Sequence, residues 1–237
     1  MRLSKVLEVK KRRLRSRIFT LGVVITGILS ITFAIITFYG QNAGNFVMSM
    51  DYDAYNRGII LSSDQEFTNP SARLLTEPIE DARDMTYSWL KLEEVNQTDG
   101  NYVDTDYDYV AYTFYVKNDG FETVDITYHL RMTEIHRNID ESIRILIIED
   151  GEETMYQKID KVNSEGQLPY YPEIMPDSKF FINDTIVARE NFTKFEPGQV
   201  KKFSVIMWLE GYDPDTNDEI LGGRIKLQMN FSIDGLN

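Results

Sequence analysis

The sequence predicts an all-β protein, an antiparallel jelly-roll or Ig-like β-sandwich, preceded by a single N-terminal transmembrane helix. Two observations point to the sheet. Apolar and polar residues alternate over long stretches, and turn signals separate roughly ten such stretches with no long helical period between them. A third points to the helix: Ile18 to Tyr39 is an uncharged run of 22 residues, and about 20 apolar residues in a helix span the hydrocarbon core of a bilayer.

The chain accordingly reads as a basic head at 1–17, an apolar segment at 18–39 and an extracellular β domain over 40–237. The head carries eight Lys or Arg against the single acid Glu8, whereas the remaining 220 residues hold 17 bases and 37 acids. Lys and Arg resist translocation, so this asymmetry places the N-terminus in the cytoplasm and the domain outside. The head also attracts anionic inner-leaflet lipids, and Phe38 and Tyr39 fall at the outer headgroup boundary. An acidic body makes nucleic acid an unexpected partner.

A removable signal peptide is the alternative to a retained anchor. Its apolar region runs about 7–15 residues and ends in an A-x-A-like site. Here the run is longer, and the small residues that follow fit the site poorly, because Ala43 has Gln41 two positions before it and Gly44 has Asn42. Retention is the expectation, with secretion if the segment is cleaved. The chain has no cysteine, which rules out disulfides, thiolate metal sites and cysteine nucleophiles. An exported domain of this size without disulfides relies on its core, a pattern that suits a bacterial surface.

Along the domain, strands are expected at Phe46 to Met50, Gly58 to Ser62, Ala72 to Thr76 and Thr86 to Leu90. In Tyr109 to Lys117, Val110, Tyr112, Phe114 and Val116 share a face. The "NDG" at Asn118 to Gly120 reads as a tight turn making a hairpin with the next strand. That strand, "ETVDITYHLRMT", puts Val124, Ile126, Tyr128, Leu130 and Met132 inward and leaves its other side wet. "IRILIIEDGEETMYQK" repeats the hairpin device at Asp150 and Gly151. Lys179 to Ile182 and Thr185 to Arg189 follow. Val200 to Glu210 is apolar on both faces and therefore central, and the last strand turns Ile225, Leu227, Met229, Phe231 and Ile233 inward. Asn96 to Asp108 and Asn163 to Ser178 read as long surface loops.

Little in the chain resembles a catalytic centre. In "WLEGYDPDTNDEILGG", Asp213, Asp215 and Asn217 match the first three ligand positions of an EF-hand loop. Position six holds Asp218 instead of Gly, and position twelve holds Arg224 instead of Glu. The EF-hand fails, and what remains is a looser, weak calcium site on Asp213, Asp215, Asn217 and Asp218, weighed against a merely solvated acidic bend. No other cofactor is implied. His129 and His136 are the only histidines, without an H-E-x-x-H. No serine has a nucleophile setting, and no carboxylate pair is marked out. Trp89 with Tyr102, Tyr107, Tyr109, Tyr112 and Tyr115 offers a carbohydrate-stacking surface, although alternating aromatics in strands are mostly core. No enzymatic activity is expected.

Two blocks, "YVAYTFYVKNDGFETVDITYHLRM" and "FEPGQVKKFSVIMWLEGYDPDTNDEILGGRIKLQMNFSI", resemble the TasA/camelysin-like surface proteins of Gram-positive bacteria. The W-L-E-G-x-D-P-D run ending in Gly222 and Gly223 is the most specific part. The resemblance implies a jelly-roll domain at the cell surface, related to biofilm-matrix fibre subunits in which the N-terminal segment of one subunit completes the sheet of the next. Carried onto this chain, the donor is "NFVMSMDYDAY", with Phe46, Met48 and Met50 as its inserting side chains. An uncleaved chain cannot freely offer that segment, so a membrane-anchored base or accessory subunit is expected, with like subunits or matrix proteins as partners. A wall-polysaccharide-binding module is the alternative.

Overall fold

The computed structural model describes residues 18–35, 44–162, 165–172 and 175–234, and the chain divides between residues 43 and 44 into two units. In the first, Ile18–Ile35 forms helix α1, long and apolar enough to cross a membrane or to act as a signal sequence. At 1.5 Å per residue it is about 27 Å long. Thr26 and Thr32 donate their hydroxyls back to the carbonyls of Gly22 and Ile28, at 2.9 and 3.0 Å, so these polar groups are satisfied within the helix. The basic head, Phe38 and Tyr39, and Gln41, Asn42 and Ala43 of the poor cleavage site lie outside the described residues.

The second unit is mostly β. Its elements run β1 (Phe46–Met50), α2 (Tyr52–Asn56), β2 (Ile59–Ser62), β3 (Arg73–Leu75), β4 (Asp84–Met85), a 3-10 turn at Tyr87–Trp89, α3 (Leu92–Gln97) and β5 (Gly100–Asn101). Then follow β6 (Val110–Asn118), β7 (Val124–His136), β8 (Ile143–Glu149), β9 (Glu152–Gln157), β10 (Ser178–Phe180), β11 (Ile186–Phe195), β12 (Val200–Glu210) and β13 (Arg224–Ile233). One sheet has the order β11-β7-β13-β1-β3 and the other β10-β9-β8-β12-β6-β2, with β4 beside β12 and β5 beside β6.

The inward sets read from the sequence of β7 and β13 are buried and meet the second sheet in one core. Aromatic rings join the layers. Phe203 of β12 stacks on Phe114 of β6 at 5.3 Å and meets Tyr128 of β7 and Phe231 of β13 edge-on, both at 5.5 Å. Such contacts add about 0.5–1.5 kcal/mol each beyond burial. Two tyrosines pin the sheets across the layer: the Tyr128 hydroxyl donates to Glu149 at 3.2 Å and that of Tyr156 to Glu190 at 3.1 Å.

β12 is central, between β8 and β6, and its two faces serve two cores. Phe203, Val205 and Met207 enter the inter-sheet core. Ile206 and Trp208 enter a second one, closed over the outer face of that sheet by Met85, Leu90, Val95 and Tyr109. The stretch from β4 to Tyr109 is thus a lid of backbone over an already paired sheet. That layer explains why β6, β8 and β12 lack a wet side.

Three expectations are corrected. Both sheets are mixed: β1 runs parallel to β13, β10 to β9 and β4 to β12. Thr86 to Leu90 is not a strand but the 3-10 turn, in which Trp89 N donates to the Thr86 carbonyl at 3.0 Å. Most informative, β6 and β7 lie in different sheets, so "NDG" makes an arch and no hairpin. The buried Asn118 carboxamide takes over the ladder's role, donating to the carbonyls of Phe195 and Glu122 at 2.8 and 2.9 Å and accepting from Gly120 N at 3.0 Å. Gly120 lies so close to the α2–β2 turn that a Cβ there would stand 2.1 Å from the Arg57 carbonyl oxygen. Asp150 and Gly151, by contrast, make the expected tight hairpin. Their φ values of 50° and 94° give the two left-handed residues of a type I′ turn, with Glu149 paired to Glu152.

Candidate functional site

The proposed donor segment occupies a lane in its own sheet. β1 lies between β13, with Met48 level with Met229, and β3, where Met48 is level with Leu74. Alternation sends Phe46, Met48 and Met50 into the core, at 0, 0 and 7% exposure, while Val47 and Ser49 face outward. Both ends are pinned. Asn45 Oδ1 accepts from Ile79 N at 2.7 Å and its carbonyl accepts from Leu227 N at 2.8 Å, while Asp51 N donates to the Phe231 carbonyl at 2.8 Å. Gly44 is required by close approach, since a Cβ there would lie 1.7 Å from the Thr76 carbonyl oxygen. No hairpin ties β1 to either neighbour. It is the first strand of the second unit, held by two ladders and three side chains.

The acidic loop is built around a buried cation that the sequence reading passed over. Arg144, in the apolar run of β8, has a fully buried side chain, and its NH2 donates to Asp213 Oδ2 at 2.8 Å and to the Tyr171 hydroxyl at 2.9 Å. That hydroxyl donates in turn to Asp160 at 2.9 Å, and burial pushes its pKa up. Asp213 Oδ1 accepts from Asp215 N at 2.8 Å, and Asn217 Oδ1 accepts from Glu219 N at 2.9 Å, opening the short 3-10 turn that contains Asp218. Among the described residues no three His, Asp or Glu side chains are gathered to hold a metal ion. The Asp213 and Asn217 oxygens are thus engaged in folding the loop, and Asp215 Oδ1 stands 3.8 Å from Lys161 Nζ. A single charged residue inside "IRILII" was the available signal, because a buried cation demands a buried partner.

The W-L-E-G-x-D-P-D run has the same structural logic. Trp208 Nε1 donates to the buried Glu210 carboxylate at 3.0 Å, and Thr216 Oγ1 to the Glu210 carbonyl at 2.7 Å. Gly211 N donates to the Met85 carbonyl at 2.8 Å. Asp215 is held above its usual carboxylate range by burial and by the facing Glu141, Asp213 and Asp160, despite Lys161. A raised carboxyl pKa means that ionisation opposes folding at neutral pH. Asp215→Asn is therefore expected to raise the melting temperature at pH 7. Its advantage should narrow as pH falls through the folded pKa and vanish below the unfolded one, a trend that thermal melts across pH would read.

Of the aromatic set, Tyr109, Tyr112 and Tyr115 are buried at 5% exposure or less. Trp89, 42% exposed, stacks on Tyr107 at 5.1 Å. His129 and His136 both lie on β7, and His136 faces Glu134 at 3.5 Å. No family model matches the chain and no curated relative matches it. Among solved structures, a β-glucosidase from Kluyveromyces marxianus in complex with glucose aligns with 74% of this chain and 16% of that one, at 12% identity and a TM-score of 0.24. A score that low carries no argument about fold or function.

Proposed function

We propose that the chain is an exported cell-surface structural protein, anchored by Ile18 to Tyr39 with its N-terminus in the cytoplasm, whose jelly-roll domain joins like subunits or related matrix proteins through the lane occupied by β1. The role assigned is a membrane-bound base or accessory subunit, without catalysis. The observation that carries this reading is the position of Phe46–Met50: the first strand of the second unit, unlinked to its neighbours by any hairpin, that fills the lane between β13 and β3 with three buried side chains. Such an element exchanges between chains without altering the remainder of the ladder, because an incoming strand offers the same backbone groups and needs only matching side chains at alternate positions. Tethering at the membrane keeps β1 in its own lane, and release of the tether or arrival of a competing strand opens it.

The absence of native cysteine makes a direct test available. Val47 and Leu75 are opposed in register across β1 and β3. Full-length Val47→Cys and Leu75→Cys chains are mixed under assembling conditions and oxidised. Exchange predicts a disulfide-linked heterodimer. If only the double variant cross-links, within one chain, β1 never leaves its lane and the proposal fails.

A further inference from the structure

The outer face of the five-stranded sheet is cationic on an acidic domain. One row crosses all five strands in register: Arg189 of β11 against His129 of β7, His129 against Asn230 of β13, Asn230 beside Ser49 of β1, and Ser49 against Arg73 of β3. With strands about 4.8 Å apart, this row is about 19 Å long. Arg131, opposite Gln228, lies in the next row, and Arg224 extends the face along β13.

Arg73, Arg131, Arg189 and Arg224 are exposed, and among the described residues none of them takes part in an ion pair. Elsewhere on the domain the bases Arg57, Lys91, Lys158 and Lys201 each hold a carboxylate. After the head there are 37 acids to 17 bases, and of the bases that form no ion pair among the described residues, Arg83, Arg137, Lys194 and Lys202 are the others, so that half share this one sheet face. Their crowding registers on His129, whose pKa is lowered by burial and further by Arg189 and Arg131.

Neutral groups lie between the arginines, and Lys226 on the same side pairs with Glu134 at 3.2 Å. Arg131 donates to Gln228 Oε1 at 2.7 Å, Gln228 Nε2 to Ser49 Oγ at 3.1 Å, and Ser49 Oγ to Asn230 Oδ1 at 3.0 Å. The outward residues of β7, β13 and β1 include no Phe, Tyr or Trp, so the surface lacks the stacking platform that single-stranded nucleic acid uses. Guanidinium forks match phosphate and carboxylate oxygens two at a time, and the interspersed amides and hydroxyl suit alcohol groups.

We propose that this face binds a linear, hydroxyl-bearing polyanion whose repeating charge is a phosphodiester or a carboxylate. The proposal stands whether or not β1 is exchanged.

The test is biolayer interferometry of the full-length chain in neutral detergent against poly(glycerol phosphate), polygalacturonate, dextran and single-stranded DNA. Binding to one or both of the first two, weakening as salt rises, and none to dextran is expected; which of the two binds identifies the anion. Combining Arg73→Gln, Arg131→Gln, Arg189→Gln and Arg224→Gln should weaken it at least about tenfold, whereas Arg57→Gln with Arg83→Gln, away from the face, should change it less than about twofold. Melting temperatures confirm that the variants fold. Equal weakening by both sets, or none by the first, would assign the attraction to the basic head or to net charge and overturn the proposal. DNA bound as tightly as the hydroxylated polymers, and lost with the same four arginines, would overturn the assigned polymer class.

Discussion

Asp213→Ala is expected to cost about 3–5 kcal/mol of folding stability, the range found when one partner of a buried ion pair is removed. The Arg144 side chain is fully buried and its principal carboxylate is Asp213 at 2.8 Å, Asp160 standing off at 3.7 Å. Without Asp213 the guanidinium keeps the Tyr171 hydroxyl and a longer-range carboxylate, while its Nε, already without a hydrogen bond, gains nothing. The full desolvation penalty then falls on the folded state. The companion variant separates charge from contact. In Arg144→Met/Asp213→Ala neither charge is buried, and most of the loss should be recovered. Urea denaturation of the two variants measures this; a single-variant loss below about 1 kcal/mol would place the pair among the weak surface bridges.

Phe46→Ala should cost about 3–5 kcal/mol and Met48→Ala about 2–5 kcal/mol, because each leaves a cavity as well as losing its transfer energy. Both side chains are 0% exposed between the sheets. Val47→Ala, on the outward face of the same strand, should stay within about 0.5–1 kcal/mol. The contrast matters more than any one value, since inward and outward substitutions on β1 have equal effect only if the strand is not docked. Phe46→Ala also weakens β1 in trans, so in the mixed-cysteine experiment it should reduce the intermolecular cross-link when placed on the Val47→Cys chain.

Much of the sandwich was legible because its signals are local. The bounds of β1 agree with those read from "FVMSM", and period-two alternation assigned the inward residues of β7 and β13. The two apolar faces of β12 announced its central place. What failed needed knowledge of distant chain. "NDG" carries the chemistry of a tight turn equally well when it ends an arch between sheets, and only the partners of Asn118, Phe195 and Gln199 among them, decide which. The parallel pairing of β1 with β13 joins opposite ends of the domain and leaves no trace in either strand's pattern. In the acidic loop the residue types were read as ligands or solvated charge because Arg144, some 70 residues earlier in the chain, was absorbed into a β-strand without its partner being sought.

The central claim, a surface protein whose β1 stays tethered to a membrane, is decided by the mature N-terminus. Trypsin has no site between Arg17 and Arg57, so one peptide, Ile18 to Arg57, contains both α1 and β1. Mass spectrometry of separated membrane and culture-medium fractions should find this peptide intact, in membranes alone. A new N-terminus near Ala43 to Asn45, with the protein in the medium, would contradict the anchored account and make the chain a secreted subunit with a free donor strand.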